Sequence, residues 1–225
     1  MTIPIPTLAS AADSFLQRIS DPLRRGRRVA FFDGPPGLDN NGWHRGAYNT
    51  TIPQGVKSGE RTGLDDNAKR QIFTFLSRIK PPCTLKQETF NDWLEQMIQD
   101  VSNICSKESP GTLWTFGRSQ KLINMYIKYL VAAYYCSAPD LASFQSQHTW
   151  IGEITEFAHA PVDRSTMKVI AKLSQKRWFG TTLNPISWWQ KSFTKELYDE
   201  AQKLLQESAD QKCISRIHYE FVCIW

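Results

Sequence analysis

An amine and a carboxylate set among apolar residues are the groups in this chain whose types and spacing best suit chemistry. Lys121 heads a long apolar run in which Leu122, Ile123, Met125, Tyr126, Ile127, Tyr129, Leu130 and Val131 recur at helical spacings with few gaps. Such a pattern predicts a helix buried nearly all round. An ammonium there is costly unless it is paired or put to use. Asp163 follows Pro161 and Val162 and precedes an amphipathic pattern of Met167, Ile170, Ala171 and Leu173. It reads as the N-cap of a second helix. Lys121 and Asp163 are therefore a candidate catalytic pair. A lysine whose pKa is lowered by burial becomes a nucleophile, and a carboxylate beside it takes up a proton or stabilises a developing cation. The plain alternatives are a lysine that snorkels to solvent and an aspartate that only caps a helix. Lys128, two turns deeper, reads as a partner in a buried salt bridge.

The elements that must position this pair are helical. Leu8 to Ile19 predicts a first helix, stopped at Asp21-Pro22. The basic run Arg24, Arg25, Gly26, Arg27, Arg28 follows, then a short apolar piece, Val29 to Phe32, readable as strand or helix. Asp33 to Gly63 is dominated by turn chemistry, and eight of the twelve glycines fall between Gly26 and Gly63. A loop of this length is usually functional or mobile. From Leu64 one apolar stripe runs to Ile79. Thr84 with Gln87 predicts a capping box for a helix through Phe90 and Val101, ended by Ser109-Pro110-Gly111. Ser137 to His159 is less regular. A long amphipathic helix is expected from about Asn184-Pro185 to Ser208, after a stop at Trp178-Phe179-Gly180. The tail from Ile214 to Val222 suits a strand or a last helical turn. The organisation is an N-terminal segment with a Gly-rich basic loop (1–63) and a helical core (64–225), or one continuous domain, in a mainly α chain.

Composition narrows the function classes. The chain has 225 residues, 41% hydrophobic and 22% charged, which suits a packed globular core rather than disorder. The net charge of +5 is concentrated in Arg24, Arg25, Arg27 and Arg28 and in Lys168, Lys172 and Lys176 at four-residue spacing. Such patches suit phosphate backbones or are simply solvated faces. The five scattered cysteines include no Cys-x-x-Cys pair, so neither a zinc knuckle nor a disulfide framework is signalled. A metal site of the His-Glu-x-x-His kind and a Gly-x-Ser-x-Gly nucleophile elbow are both absent. No metal, cofactor, membrane span or protein partner is expected, and a reduced, cytoplasmic location is.

The entry Gly117-Arg118-Ser119-Gln120-Lys121 resembles the Gly-x-Gly-x-Lys hairpin of the helix-hairpin-helix DNA glycosylases. Pro161-Val162-Asp163 resembles the segment that carries their catalytic aspartate, and the archaeal 8-oxoguanine glycosylase branch is the most similar in this respect. Ser119 stands where the family's hairpin has its second glycine, and the span between Tyr135 and His159 implies an insertion. The likeness covers Leu113 to Leu173. It implies a multi-helix fold of that type and cleavage of the N-glycosidic bond of a damaged or modified base in double-stranded DNA. Asp163 would assist, with Lys121 as nucleophile if a strand nick accompanies excision, or water if an abasic site is left. It further implies that Gly117, Arg118 and Ser119 contact DNA, aided by Arg24, Arg25, Arg27, Arg28 and Lys168. A flipped base needs a flat apolar wall with a few hydrogen-bonding groups. Gln120, Trp150, His159 and Trp178 are the candidates, with Trp188 and Trp189 beside them. Base excision for repair, or defence against DNA carrying modified bases, would be the setting, with the protein on the nucleoid when bound. The competing readings are a non-catalytic helical nucleic-acid-binding or interaction module, and a metal-dependent nuclease using Asp140, Glu153 and Glu156.

Overall fold

The longest uninterrupted apolar stretch in the sequence becomes the axis of the molecule. The structure, a computed structural model, describes residues 5–20, 47–48, 50–51, 63–174, 187–190 and 192–224. Among these, nine α-helices form and no strand. They are α1 (Leu8–Ser20), α2 (Asp66–Ser77), α3 (Gln87–Glu108), α4 (Phe116–Tyr135), α5 (Ala142–Gln147), α6 (Trp150–Thr155), α7 (Arg164–Ser174), α8 (Lys195–Asp210) and α9 (Arg216–Tyr219). A 3₁₀ turn at Pro139–Leu141 precedes α5, and a π-helical turn at Glu220–Ile224 follows α9. No helix among the described residues is long and apolar enough to cross a membrane.

Helix α4 is buried from Gly117 through Ala133, as its all-round apolar pattern predicts. It can be so because α1, α3, α5, α6 and α8 all pack against it. Ala11, Ala12 and Phe15 of α1, with Ala47 and Tyr48, join the same core as α2, α3 and α4. Residues on both sides of position 63 thus share one core. A second cluster gathers Val162, Met167 and Ile170 with Phe193, Tyr198, Ala201 and Leu205. Phe116, at the first turn of α4, packs on both clusters. The N-terminal end of α4 therefore lies where the two cores meet.

Lys128 is resolved as the sequence suggests. Its Nζ donates to Glu220 Oε1 at 2.7 Å, and both side chains are essentially sealed from solvent. The ammonium lies 4.3 Å from the Phe15 ring centre and 5.1 Å from that of Phe221. Such burial is tolerable only because the opposite charge is buried with it.

Two boundaries differ from expectation. α3 begins at Gln87, and Thr89, not Gln87, closes its first turn: Lys86 N–H donates to Thr89 Oγ1 at 2.9 Å. Thr84 supplies only a carbonyl, which accepts from the Thr89 hydroxyl at 3.1 Å. α8 starts at Lys195, because Thr194 is the capping residue and residues 187–190 form a turn that buries Trp188. Of the two forms expected for the tail, the helical one is found, with Ser215 capping α9. The readings at Val29 to Phe32, Asp33 to Gly46, Trp178 to Gly180 and Asn184-Pro185 lie outside the described residues.

Candidate functional site

Lys121 and Asp163, 42 residues apart in sequence, are brought together by two helix starts. At the first, the Thr115 side chain accepts from the Arg118 amide at 3.4 Å and donates to the Trp189 carbonyl at 3.0 Å. This both begins α4 and docks the 187–190 turn on it. Gly117 makes the docking possible. A Cβ there would overlap the Trp188 carbonyl oxygen, a contact no side chain survives. At the second start, Asp163 Oδ1 accepts from the amides of Ser165 (2.8 Å) and Thr166 (3.1 Å) and from the Thr166 hydroxyl (3.3 Å). Its cap function is thus carried by one oxygen. The other, Oδ2, faces Lys121 Nζ at 3.9 Å.

That separation joins charges without a direct hydrogen bond. The two side chains are only 9% and 13% exposed, so neither fully recovers its hydration. Burial pushes the Lys121 pKa down to about 8, with Asp163 pulling it up and Lys128 pushing it down further. The Trp188 ring covers the amine, its centre 4.0 Å from Nζ. A tryptophan face attracts an ammonium, yet it offers no proton acceptor of its own. A substantial fraction of the lysine is therefore neutral near pH 8.

The backbone that carries Asp163 is held by side chains. Gln120 Nε2 donates to the Val162 carbonyl at 2.8 Å, and the Val162 amide returns a bond to Gln120 Oε1 at 3.4 Å. Gln202 does the same for Ala160, at 2.7 and 3.2 Å. From Gln120 a polar chain runs inward. Asn124 donates to Gln120 Oε1 (3.2 Å) and to the Tyr198 oxygen (2.9 Å). Tyr198 then meets His159 Nδ1 at 2.7 Å, and His159 Nε2 meets Asn91 Oδ1 at 3.0 Å. Burial, then the charges of Arg216 and Lys195, hold the His159 pKa well below its usual value. The ring is neutral, so the Tyr198 hydroxyl donates to Nδ1 and Nε2–H donates to Asn91.

The structure places the other expected site residues as follows. Gly117, Arg118 and Ser119 lie in the first turns of α4, not in an open hairpin, and all three are buried. Arg118 spends its guanidinium on the Leu113 and Thr51 carbonyls and on the face of Trp114. Ser119 bonds Ser102 of α3 and receives the Trp114 indole N–H. None of them is presented to a phosphate. Gln120 has its amide committed to the Gly117 and Val162 carbonyls and to Asn124. Trp150 sits at the wrong end of α4. Gly152, two residues on, abuts Tyr134, and the helix between Lys121 and Tyr134 puts that point roughly 20 Å from the amine's backbone. His159 is a link in the network, and its outer side borders a groove of about 680 Å³ between α3 and α8 that neither Lys121 nor Asp163 lines. Lys168 is exposed on α7, with Arg164 and Lys172 on the same helix. Arg24, Arg25, Arg27, Arg28, Trp178 and Lys176 lie outside the described residues.

Trp188, one of the aromatic candidates, is the ring that meets the lysine. The polar partners Asn124, Tyr198 and Gln202 are absent from the sequence-based candidates, although a signal exists. Gln120, Lys121, Asn124 and Lys128 interrupt an otherwise apolar helix at spacings that place the last three along one side. The chain matches no protein-family model, no curated protein and no solved structure.

Proposed function

We propose that the chain is a DNA glycosylase that excises a damaged or modified base, with Lys121 and Asp163 as its catalytic residues. The observation that carries this reading is the near-dry lysine–aspartate pair, 3.9 Å apart at the first turns of two helices. The resemblance of Pro161 to Asp163 to the aspartate segment of the helix-hairpin-helix glycosylases supports it as well, whereas Gly117 to Lys121 shares with them a lysine at a helix start and not an open hairpin. In the reaction the target nucleotide leaves the stack, because its C1′ is inaccessible in a duplex. The neutral Lys121 amine adds its lone pair to C1′ while the bond to the base breaks and its electrons leave with the base. Asp163 Oδ2 stabilises the positive charge that develops on the sugar and receives the proton that Nζ sheds. Breaking of the C1′–O4′ bond, with O4′ taking up a proton, then yields a Schiff base. Removal of a C2′ proton forms the C2′–C3′ double bond and expels the 3′-phosphate, which nicks the strand. With Lys121 protonated, a water molecule takes its place and an abasic site is the product.

The exposed Arg164, Lys168 and Lys172 of α7 also suit a module that only binds nucleic acid. One experiment separates the readings. End-labelled duplexes carrying a panel of damaged and modified bases are incubated with wild type and Asp163→Asn, with and without hot alkali. Asparagine keeps the helix cap and removes the charge. The expected result is product with wild type and at least about a hundredfold less with the variant, while DNA affinity is retained. Borohydride trapping that disappears in Lys121→Gln would assign the nucleophile. Salt-sensitive binding with no product on any duplex would favour the binding module. Among the described residues no three His, Cys, Asp or Glu side chains gather as a metal site; the Asp140 side chain named in the nuclease reading lies outside them.

A further inference from the structure

The groove between α3 and α8 holds a buried cation whose charge the protein leaves largely unanswered. Arg216 is 5% exposed and lines the groove. Its Nη2 donates to the Phe157 carbonyl at 2.8 Å and more weakly to Gln87 Oε1 at 3.4 Å, both uncharged acceptors. Its Nε has no hydrogen-bond partner among the described residues, and none of their carboxylates comes within ion-pair distance of it. Asp210 is the carboxylate that acts on its charge, from farther off. A buried guanidinium normally brings its counter-ion with it. Arg216 and Lys195 both disfavour protonation of His159 at the groove wall, which keeps that wall from adding a further cation.

We propose that this groove binds a small oxyanion, a carboxylate or a phosphate monoester attached to a flat apolar body, with Arg216 as its charge partner. The volume of about 680 Å³ lies within the range of small-molecule sites. Leu94, Ile98, Phe116 and Phe157 supply apolar wall. Glu95 and Asp199 are occupied by Lys195, at 3.4 and 2.7 Å, which leaves Arg216 to the ligand. The acidic Glu156 and Glu207 at the edge oppose a polyanionic strand, so the occupant is a small molecule and not the DNA backbone. The site is separate from the Lys121–Asp163 pair, and the proposal does not rest on the glycosylase reading.

The test is a titration of the full chain, at constant ionic strength, with inorganic phosphate, phenyl phosphate and benzoate. It is followed by NMR at the Arg216 Nε–H and the His159 ring. Saturable shifts at both groups are expected, with an aromatic ligand binding at least about tenfold more tightly than inorganic phosphate. Arg216→Gln should weaken that binding by at least about tenfold. Lys203→Glu, at an exposed position on the rim, should weaken it several-fold with the fold intact. Phenyl phosphate ahead of benzoate identifies a phosphate monoester, and the reverse order a carboxylate. No saturable shift with any of the three, or unchanged affinity in both variants, overturns the proposal. So does displacement of the bound probe by duplex DNA, which would make the groove part of a nucleic-acid path.

Discussion

Lys121 carries a pH signature that can be worked out in sign and window. Its pKa in the fold is about 8, against an ordinary value of 10.5. If it is the nucleophile, the nicking rate rises with pH and levels off above an apparent pKa near 8, in single-turnover assays on the preferred duplex. The same shift bears on stability. Below about 8 the lysine is protonated in both states, so the full cost of burying its charge is present. That cost is relieved as pH climbs from 8 toward 10.5, where the unfolded chain still binds the proton and the fold does not. Lys121→Met should therefore stabilise the protein by about 1–3 kcal/mol at about pH 7, and the gain should fade above about pH 10. Urea melts of both proteins across that range would show it. A flat difference would mean that the amine is hydrated in solution.

At the scale of elements, the site depends on how closely the 187–190 turn approaches α4. Gly117→Ala puts a methyl group against the Trp188 carbonyl oxygen, so the turn must withdraw or the helix must shift, at about 2–3 kcal/mol. Withdrawal would take Trp188 off Lys121 and return the amine pKa toward 10.5, readable as a later rise in the rate profile. The glutamine clamps give a second expectation. The amides of Ala160 and Val162 belong to no helix or strand, yet Gln202 and Gln120 accept from them. Hydrogen exchange at both should be slow for a loop, and Gln120→Leu should release Val162 while sparing Ala160. These elements are legible in the sequence to different degrees. Apolar periodicity places α1, α2 and α4, because a buried stripe repeats along a helix. The glycine-led entry to α4 reads as a phosphate grip, since sequence cannot tell a glycine that admits a ligand from one that admits a neighbouring carbonyl. The glutamine clamps are illegible for a similar reason: their partners are main-chain atoms, which carry no sequence signature.

For the whole molecule, the buried pair of Lys128 and Glu220 ties the central helix to the tail. Breaking it from one side leaves a charge sealed in an apolar core, so Lys128→Met or Glu220→Gln should cost about 3–5 kcal/mol. Replacing both with Met and Leu should recover most of that loss. A thermal-melt cycle of the four proteins measures the coupling, and additive losses would show that the pair is not sealed in solution. The pair is half legible, because a lysine inside an apolar run demands an acid but does not say which of the 22 acidic residues answers it.

That answer comes from a glutamate 92 positions later in the chain, with a consequence for how the protein is made. While a ribosome is still adding the residues before Glu220, the central helix can already have emerged with its lysine unneutralised. Its core then has no counter-charge to close around. The finished arrangement must await synthesis beyond that glutamate, so nascent chains stalled before position 220 should remain open to proteases and chaperones.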